Sequence, residues 1–462
     1  MKQISILIIA CFCMLACRQQ PQQQTIVDTE HYDLPQMKDS GTLVALTLNS
    51  SISYFDYRGE HMGFQYELAK QFAQSLNLKL EIKTAKNTHE LVDMLLREEG
   101  DLIAYPLPVT KNFKSQVTFC GEDIVTHQVL VQRNSNKKQK ALTNVTDLID
   151  KKVYAKPGKH LDRLINLDKE LGGGILIQSV DNDSITNEDL IMQVSQGSID
   201  YAISDDDLAR LNKTYYSNLN VSLPVSFDQR ASWAVRNTSP LLAEAANEWH
   251  KKNATSPAYK ASAKKYFEMS KRLPHGPILS IKDGKISHFD HLFKKYAPQV
   301  GWDWRIIASL AYNESNFDTT AVSWVGAKGL MQLMPRTARA MGLPEGKEQN
   351  SEESVKAATK YLSQLSHSFS KITDPEEKIK FVLGSYNAGL GHIFDAMALA
   401  EKYGKNKYVW DDNVAVFILL KSNEEYFNDP VCRNGYFRGR ETYNFVKDIL
   451  ARANMYKQKI AE

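Results

Sequence analysis

Between residues 41 and 107 the chain alternates between two hydrophobic periods, and this restricts its fold more than any other feature. "GTLVALTL" (41–48) reads as a strand, and "FQYELAKQFAQSLN" (64–77) repeats its apolar residues at helical steps. "LKLEIKT" (78–84) returns to alternation, "NTHELVDMLLREEG" (87–100) to the helical period, and "DLIAYPL" (101–107) to a strand. Strand–helix–strand order at this spacing predicts parallel sheets with helices on both faces. A second unit starts near "KKVYAKPG" (151–158) and runs through "DLIMQVSQGSIDYAISDDDLARLN". The strand "RASWAVR" (230–236) and the helix "PLLAEAANEWHKK" then bring the chain back. The expectation is a two-lobed α/β domain over residues 39–270.

At 462 residues the chain has room for two or three domains. A net charge of +3 supplies no field to recruit nucleic acid, so none is expected as a partner. The basic run "RNSNKKQK" (133–140) reads as a solvated loop. At the N-terminus, Lys2, the short apolar core "ISILIIACFCMLA" and Ala16 before Cys17 make a targeting segment too short to span a membrane as an ordinary helix. "MLAC" resembles the lipobox of bacterial lipoproteins, which implies lipidation of Cys17. Residues 18–38, beginning "RQQPQQQT", then read as a flexible tether. The implied address is the cell envelope, by a lipid anchor on the outer membrane facing the periplasm; the alternative is a plain secretory signal. Beyond the signal only Cys120 and Cys432 remain, more consistent with two buried thiols than with a disulfide. No CxxC or His/Cys cluster suggests a metal, and no cofactor is expected.

"LPHGPILSIKDGKIS" (273–287) is rich in turn formers, which makes 271–286 a connector and 287–462 a second, mainly helical domain. In "DWRIIASLAYNES", Glu314 falls four residues beyond Leu310 and seven beyond Ile307, so it shares their apolar face. Burial and a helix C-terminus both disfavour the ionised carboxylate, as a general acid for glycosidic cleavage requires. "SWVGAKGLMQLMP" follows. Its glycines allow a tight turn and close approach of a sugar chain, and Gln332 offers a donor and an acceptor. "DPEEKIKFVLGSYNAG" predicts a capped helix with Tyr386 and Asn387 at its end.

Two resemblances carry these readings further. "GTLVALTLNSSISYFDYRGEHMGFQYELAKQFA", "GSIDYAISD" and "YKASAKKYF" resemble the extracytoplasmic solute-binding proteins of the amino-acid-binding type. That implies two lobes closing on a small ligand, with Asp205 as the amine-binding carboxylate. The arginine expected for an α-carboxylate is missing from "LPVTKNFKS", which offers Lys111 instead. A ligand other than a free amino acid is therefore expected, with a small wall-derived peptide as the candidate. "ESNF", "GAKGLMQLMP" and "YNAG", in that order, resemble the soluble-type lytic transglycosylases, whose fold is lysozyme-like.

The second resemblance implies an enzyme acting on peptidoglycan glycan strands with Glu314 as its one catalytic acid. Ser323 would orient that acid or the substrate acetamide. Gln332 and Met334 would line the subsite, Tyr386 would hydrogen-bond near the acid, and Asn387 would hold the cleft wall. "GRETYNFVKDIL" departs from the family in carrying Phe445 where tyrosine is common. Asp318 is the one nearby carboxylate that would permit ordinary hydrolysis, but "NFDTTAVS" reads as a turn. A hydrolytic lysozyme on this fold, and a tethered sensor with a degenerate catalytic domain, are the alternatives.

Overall fold

The computed structural model describes residues 32–135, 140–182, 185–269, 271 and 284–460. The signal segment, Cys17, most of the tether and connector, and residues 136–139 of the basic run lie outside the described residues.

The first domain opens with α1 (Leu34–Ser40), β1 (Thr42–Leu48), the hairpin β2 (Phe55–Tyr57) and β3 (Glu60–Met62), then α2 (Phe64–Ser75), β4 (Lys79–Ala85), α3 (Thr88–Leu96) and β5 (Leu102–Pro108). A short α4 (Lys111–Lys114) leads to β6 (Val117–Thr126) and β7 (Gln128–Arg133). The second lobe adds β8 (Lys152–Ala155), α5 (Lys159–Glu170), β9 (Leu176–Ser179), α6 (Asn187–Gln196), β10 (Tyr201–Asp205), α7 (Asp206–Lys213) and β11 (Leu219–Pro224). The chain returns through β12 (Gln229–Arg236), α8 (Pro240–Asn253) and α9 (Pro257–Phe267).

Two five-stranded sheets result, ordered β4-β1-β5-β12-β6 and β11-β7-β10-β8-β9. The strands joined by helices are parallel, as expected: β1 with β4 and β5, and β8 with β9 and β10. The sheets are nevertheless mixed. β12 runs antiparallel to β5 and β6, and β7 antiparallel to β10 and β11. The physical reason is the double crossing between lobes, at β6–β7 and β11–β12. A strand entering or leaving without a helical crossover must reverse direction.

The expected tether also ends earlier than residue 38. Asp33 and Gln36 form a capping box at the start of α1, with proline in its first turn. The Asp33 carboxylate further accepts from the backbone N–H groups of Leu241 and Leu242 at 2.9 and 3.0 Å, and Met37 is fully buried. This segment belongs to the folded domain.

The second domain is helical: α10 (Asp290–Tyr296), α11 (Trp304–Ser315), α12 (Pro335–Ala340), α13 (Ser351–Ser368), α14 (Pro375–Ala388), α15 (Leu390–Lys402), α16 (Ala415–Leu420), α17 (Glu424–Phe427) and α18 (Gly439–Lys459). Its core gathers around α11, where Ile307, Leu310 and Ala311 are fully buried. Ser309 on α11 donates to the Ile449 carbonyl of α18 at 2.8 Å, and Ser315 to the Leu330 carbonyl at 2.7 Å. Helix α11 is therefore fixed on two sides, five residues before Glu314 and directly after it. Cys120 and Cys432 are free thiols.

Candidate active site

Helix α11 starts on an Asp303 cap and stops at Asn316, whose left-handed backbone (φ 53°) reverses the chain. Glu314 therefore sits in the last turn, and it is only 5 % exposed. The loop after it folds back on itself. Gly329 N–H donates to the Ala321 carbonyl at 2.9 Å, Ser323 N–H to Ala327 at 2.9 Å, and Gln332 N–H to Gly329 at 3.1 Å. Gly329 has φ +75°, and a Cβ there would fall 2.1 Å from the Glu348 carbonyl oxygen, so the turn requires glycine.

The loop and the end of α14 bring Gln332, Tyr386 and Asn387 around the Arg58 guanidinium that meets Glu314, while Ser323 and Met334 make their contacts within the loop and at its end. The Tyr386 hydroxyl donates to the Met331 carbonyl at 2.7 Å, holding the loop rather than the acid. Gln332 turns its amide inward, donating to Ala321 and Gly329 carbonyls at 3.0 and 2.8 Å. Ser323 Oγ accepts from Ala327 N–H at 3.0 Å, so its hydroxyl shapes the loop and makes no bond to Glu314. Asn387 Oδ1 accepts from the Thr442 hydroxyl at 2.6 Å, which ties α14 to α18. Met334 is buried at the entry to α12. Asp318 caps its own turn by accepting from Thr320 at 2.8 Å, as the turn reading expected. Phe445 and Tyr443 pack on the helical core.

The Glu314 carboxylate is not open to the cleft. Arg58, at the tip of the β2–β3 hairpin in the other domain, donates Nη2 to both of its oxygens at 2.9 and 3.1 Å. The same guanidinium donates Nη1 to the Gln332 carbonyl at 2.9 Å and Nε to the Asn387 carbonyl at 3.2 Å. Arg58 N–H reaches the Ala388 carbonyl at 3.3 Å. The arginine thus fills the space framed by the expected substrate residues. Arg58 (φ 52°) and Gly59 (φ 77°) are both left-handed, the pattern of a two-residue hairpin turn that suits asparagine or glycine better than arginine. The surrounding bonds thus hold a buried arginine in a left-handed turn against its backbone preference.

Burial raises the Glu314 carboxyl above the ordinary glutamate range, and Arg58 works against that shift. Withdrawal of Arg58 would remove the charge that favours ionisation. The hairpin thus covers the carboxylate, and its guanidinium favours the ionised form.

Comparison with known proteins was made against this geometry. Residues 291–409 match the transglycosylase SLT domain, and residues 43–269 match the bacterial extracellular solute-binding proteins, family 3. A membrane-bound lytic murein transglycosylase F of Desulfosudis oleivorans is 31 % identical over 428 residues, covering 92 % of each chain. The protein of the same name from Pseudomonas fluorescens Pf0-1 is 29 % identical, over 90 % of this chain and 85 % of its own. The chain belongs to the membrane-bound lytic murein transglycosylase F family. Among solved structures, an ancestral cationic amino acid solute-binding protein covers 51 % of this chain and 99 % of its own at 22 % identity, with a TM-score of 0.44.

In this lytic murein transglycosylase the solute-binding domain meets the catalytic domain at a second place. Glu188 at the start of α6, in the second lobe, accepts from Tyr436 at 2.5 Å and Arg438 at 3.3 Å, both in the segment leading to α18. It also accepts from Ser51 of the first lobe at 2.6 Å. Arg438 lies 4.1 Å over the Tyr215 ring, and Arg440 pairs with Asp189 at 2.7 Å. Between the two contacts stands His392 of α15. It stacks on Phe437 at 4.6 Å and donates Nε2–H to the Asp56 carbonyl of the hairpin at 3.0 Å. Burial, reinforced by Lys421, lowers the imidazole to about 4, so it is neutral here.

In this transglycosylase the two residues expected to meet a ligand lie on different lobes, Lys111 on α4 and Asp205 at the end of β10. Asp205 is already paired within its own domain, with Lys159 Nζ at 2.8 Å and the His160 imidazole at 3.3 Å. Burial alone would raise its carboxyl, but these partners outweigh it and bring it to about 2. Lys111 is exposed at the start of α4, with no contact to Asp205. Sequence reasoning missed Arg58, Glu188, His392 and Arg438. Of these only Arg58 left a trace, in "YRGE" (57–60), a hairpin turn with an unfavourable residue in it.

Proposed function

We propose that Glu314 cleaves the β-1,4 bond between MurNAc and GlcNAc as a single proton-shuttling acid. Protonated, it donates to the leaving glycosidic oxygen. Ionised, it then accepts the proton of the MurNAc C6 hydroxyl, which attacks C1 of the same sugar and closes a 1,6-anhydro ring. Two-carboxylate schemes need a nucleophile or an activated water. Here the nucleophile is tethered beside the reacting carbon, so one acid suffices. The observation that carries this reading is Glu314 itself, nearly buried at a helix end and framed by the Gln332 and Asn387 carbonyls. Glu314→Gln should retain the fold and lose activity by at least about 100-fold, the lower range of general-acid catalysis. Undiminished release of wall fragments by this variant would sink the assignment.

The solute-binding domain is proposed to hold the enzyme off until a small ligand, with a wall-derived peptide as the candidate, changes the angle between its lobes. One lobe carries Arg58 and the other carries Glu188, and both grip the catalytic domain. A ligand that favours a different lobe angle must break one grip or the other. Anchoring is proposed through lipid on Cys17 at the outer membrane, facing the periplasm. Cys17→Ser should move the chain from the membrane to the soluble fraction, and unchanged fractionation would contradict the anchor.

A further inference from the structure

Trp324 directly follows Ser323 in the loop after Glu314, and its indole faces the other domain. Tyr266 lies edge-on at 5.9 Å, Tyr57 at 6.4 Å, and Lys271 Nζ stands 4.1 Å over the ring. None of these groups belongs to the catalytic domain. Trp324 packs with the apolar core of the solute-binding domain rather than with the helical core around α11. It borders one small cavity with Asn387, Glu441 and Thr442 of its own domain, and Tyr57 of the hairpin lines the same cavity.

The hairpin that lays Arg58 on Glu314 therefore also covers this indole, because Tyr57 and Arg58 are neighbours. Withdrawal of Tyr57, Tyr266 and Lys271 together, as the solute-binding domain moves off this loop, would bare a large aromatic face beside an amide, a hydroxyl and a carboxylate, along the wall that Asn387 forms. A sugar ring has matching parts: an apolar C–H face for the indole and hydroxyls at its rim for the polar groups. Aromatic walls with a few placed polar groups are what binding clefts use to orient such ligands.

We propose that Trp324 is a sugar-stacking residue of the catalytic cleft, positioning the glycan strand next to Glu314 once the solute-binding domain has withdrawn from it. The proposal rests on the gating reading above, and it adds a specificity-determining residue that acts on substrate binding.

The test uses the full chain and solubilised, uncross-linked glycan strands. Trp324→Ala, Trp324→Leu and Trp324→Phe are compared in an Arg58→Ala background. Stacking predicts that alanine and leucine raise KM by about tenfold, equivalent to a loss of about 1.4 kcal/mol, with kcat within about twofold. Phenylalanine should restore most of the binding, because it keeps an aromatic face. Leucine fills the domain contact without that face, so it separates stacking from packing. If alanine and leucine leave KM unchanged, Trp324 is only a domain clamp and the proposal fails. If Arg58→Ala does not exceed the wild type in turnover, the gating reading fails separately, and the KM comparison in the wild-type background still decides the role of Trp324.

Discussion

Glu314 and Arg58 are 256 positions apart in sequence, yet the chemistry of the resting molecule is set by their contact. Each is nearly buried, and each compensates the other: removing either leaves a charge without a partner in a poorly solvated place. Glutamate can escape that cost by taking a proton, which is also the form that donates to a leaving oxygen. His392 makes a second prediction at this scale. Its pKa is lowered from the ordinary value of 6.5 to about 4, so between these limits the unfolded chain binds a proton that the folded one refuses. Stability should therefore fall as pH drops from about 6.5 to 4, by up to about 3 kcal/mol. His392→Gln should flatten that dependence in urea melts taken across this range. An equally steep dependence in the variant would show that other groups govern acid sensitivity.

At the scale of elements, the loop after α11 depends on one backbone position more than on its polar side chains. Gly329→Ala places a methyl 2.1 Å from the Glu348 carbonyl at φ +75°. Backbone strain alone costs of order 1–3 kcal/mol there, and the clash adds to it. Thermal melting should show a clear loss, with activity falling more than stability because the loop carries Gln332; an unchanged melting temperature would contradict this placement. Periodicity made most elements legible. The strands of 41–48 and 78–84 and the capped helix carrying Tyr386 and Asn387 in its last turn formed as read, because each depends on local spacing and caps. The antiparallel partners of β12 and β7 were not legible, since register and direction are set across the sheet. Glu314 was legible because a helical stripe places it on the buried face. The bonds made by Ser323, Gln332 and Tyr386 were not, because a polar side chain in a glycine-rich loop has backbone partners that no spacing reveals. Arg58 was hidden for a further reason: nothing local distinguishes a hairpin arginine that meets solvent from one that meets another domain.

For the whole molecule, the family assignment explains why two such domains share a chain, and the geometry shows how they touch. Lobe one reaches the acid, lobe two grips the segment entering α18, and His392 links the two contacts. On the gating proposed above, movement of one lobe against the other would be translated into access to the cleft. Coupling between sites in proteins is typically worth 5- to 150-fold in an equilibrium, which sets the scale of the expected release at roughly that range. The most direct measurement is mass spectrometry of the fragments freed from peptidoglycan by the full chain and by Arg58→Ala, without added ligand. The account predicts 1,6-anhydro ends from both proteins and a several-fold faster release by the variant; reducing muramic acid ends, or equal rates from the two, would contradict it.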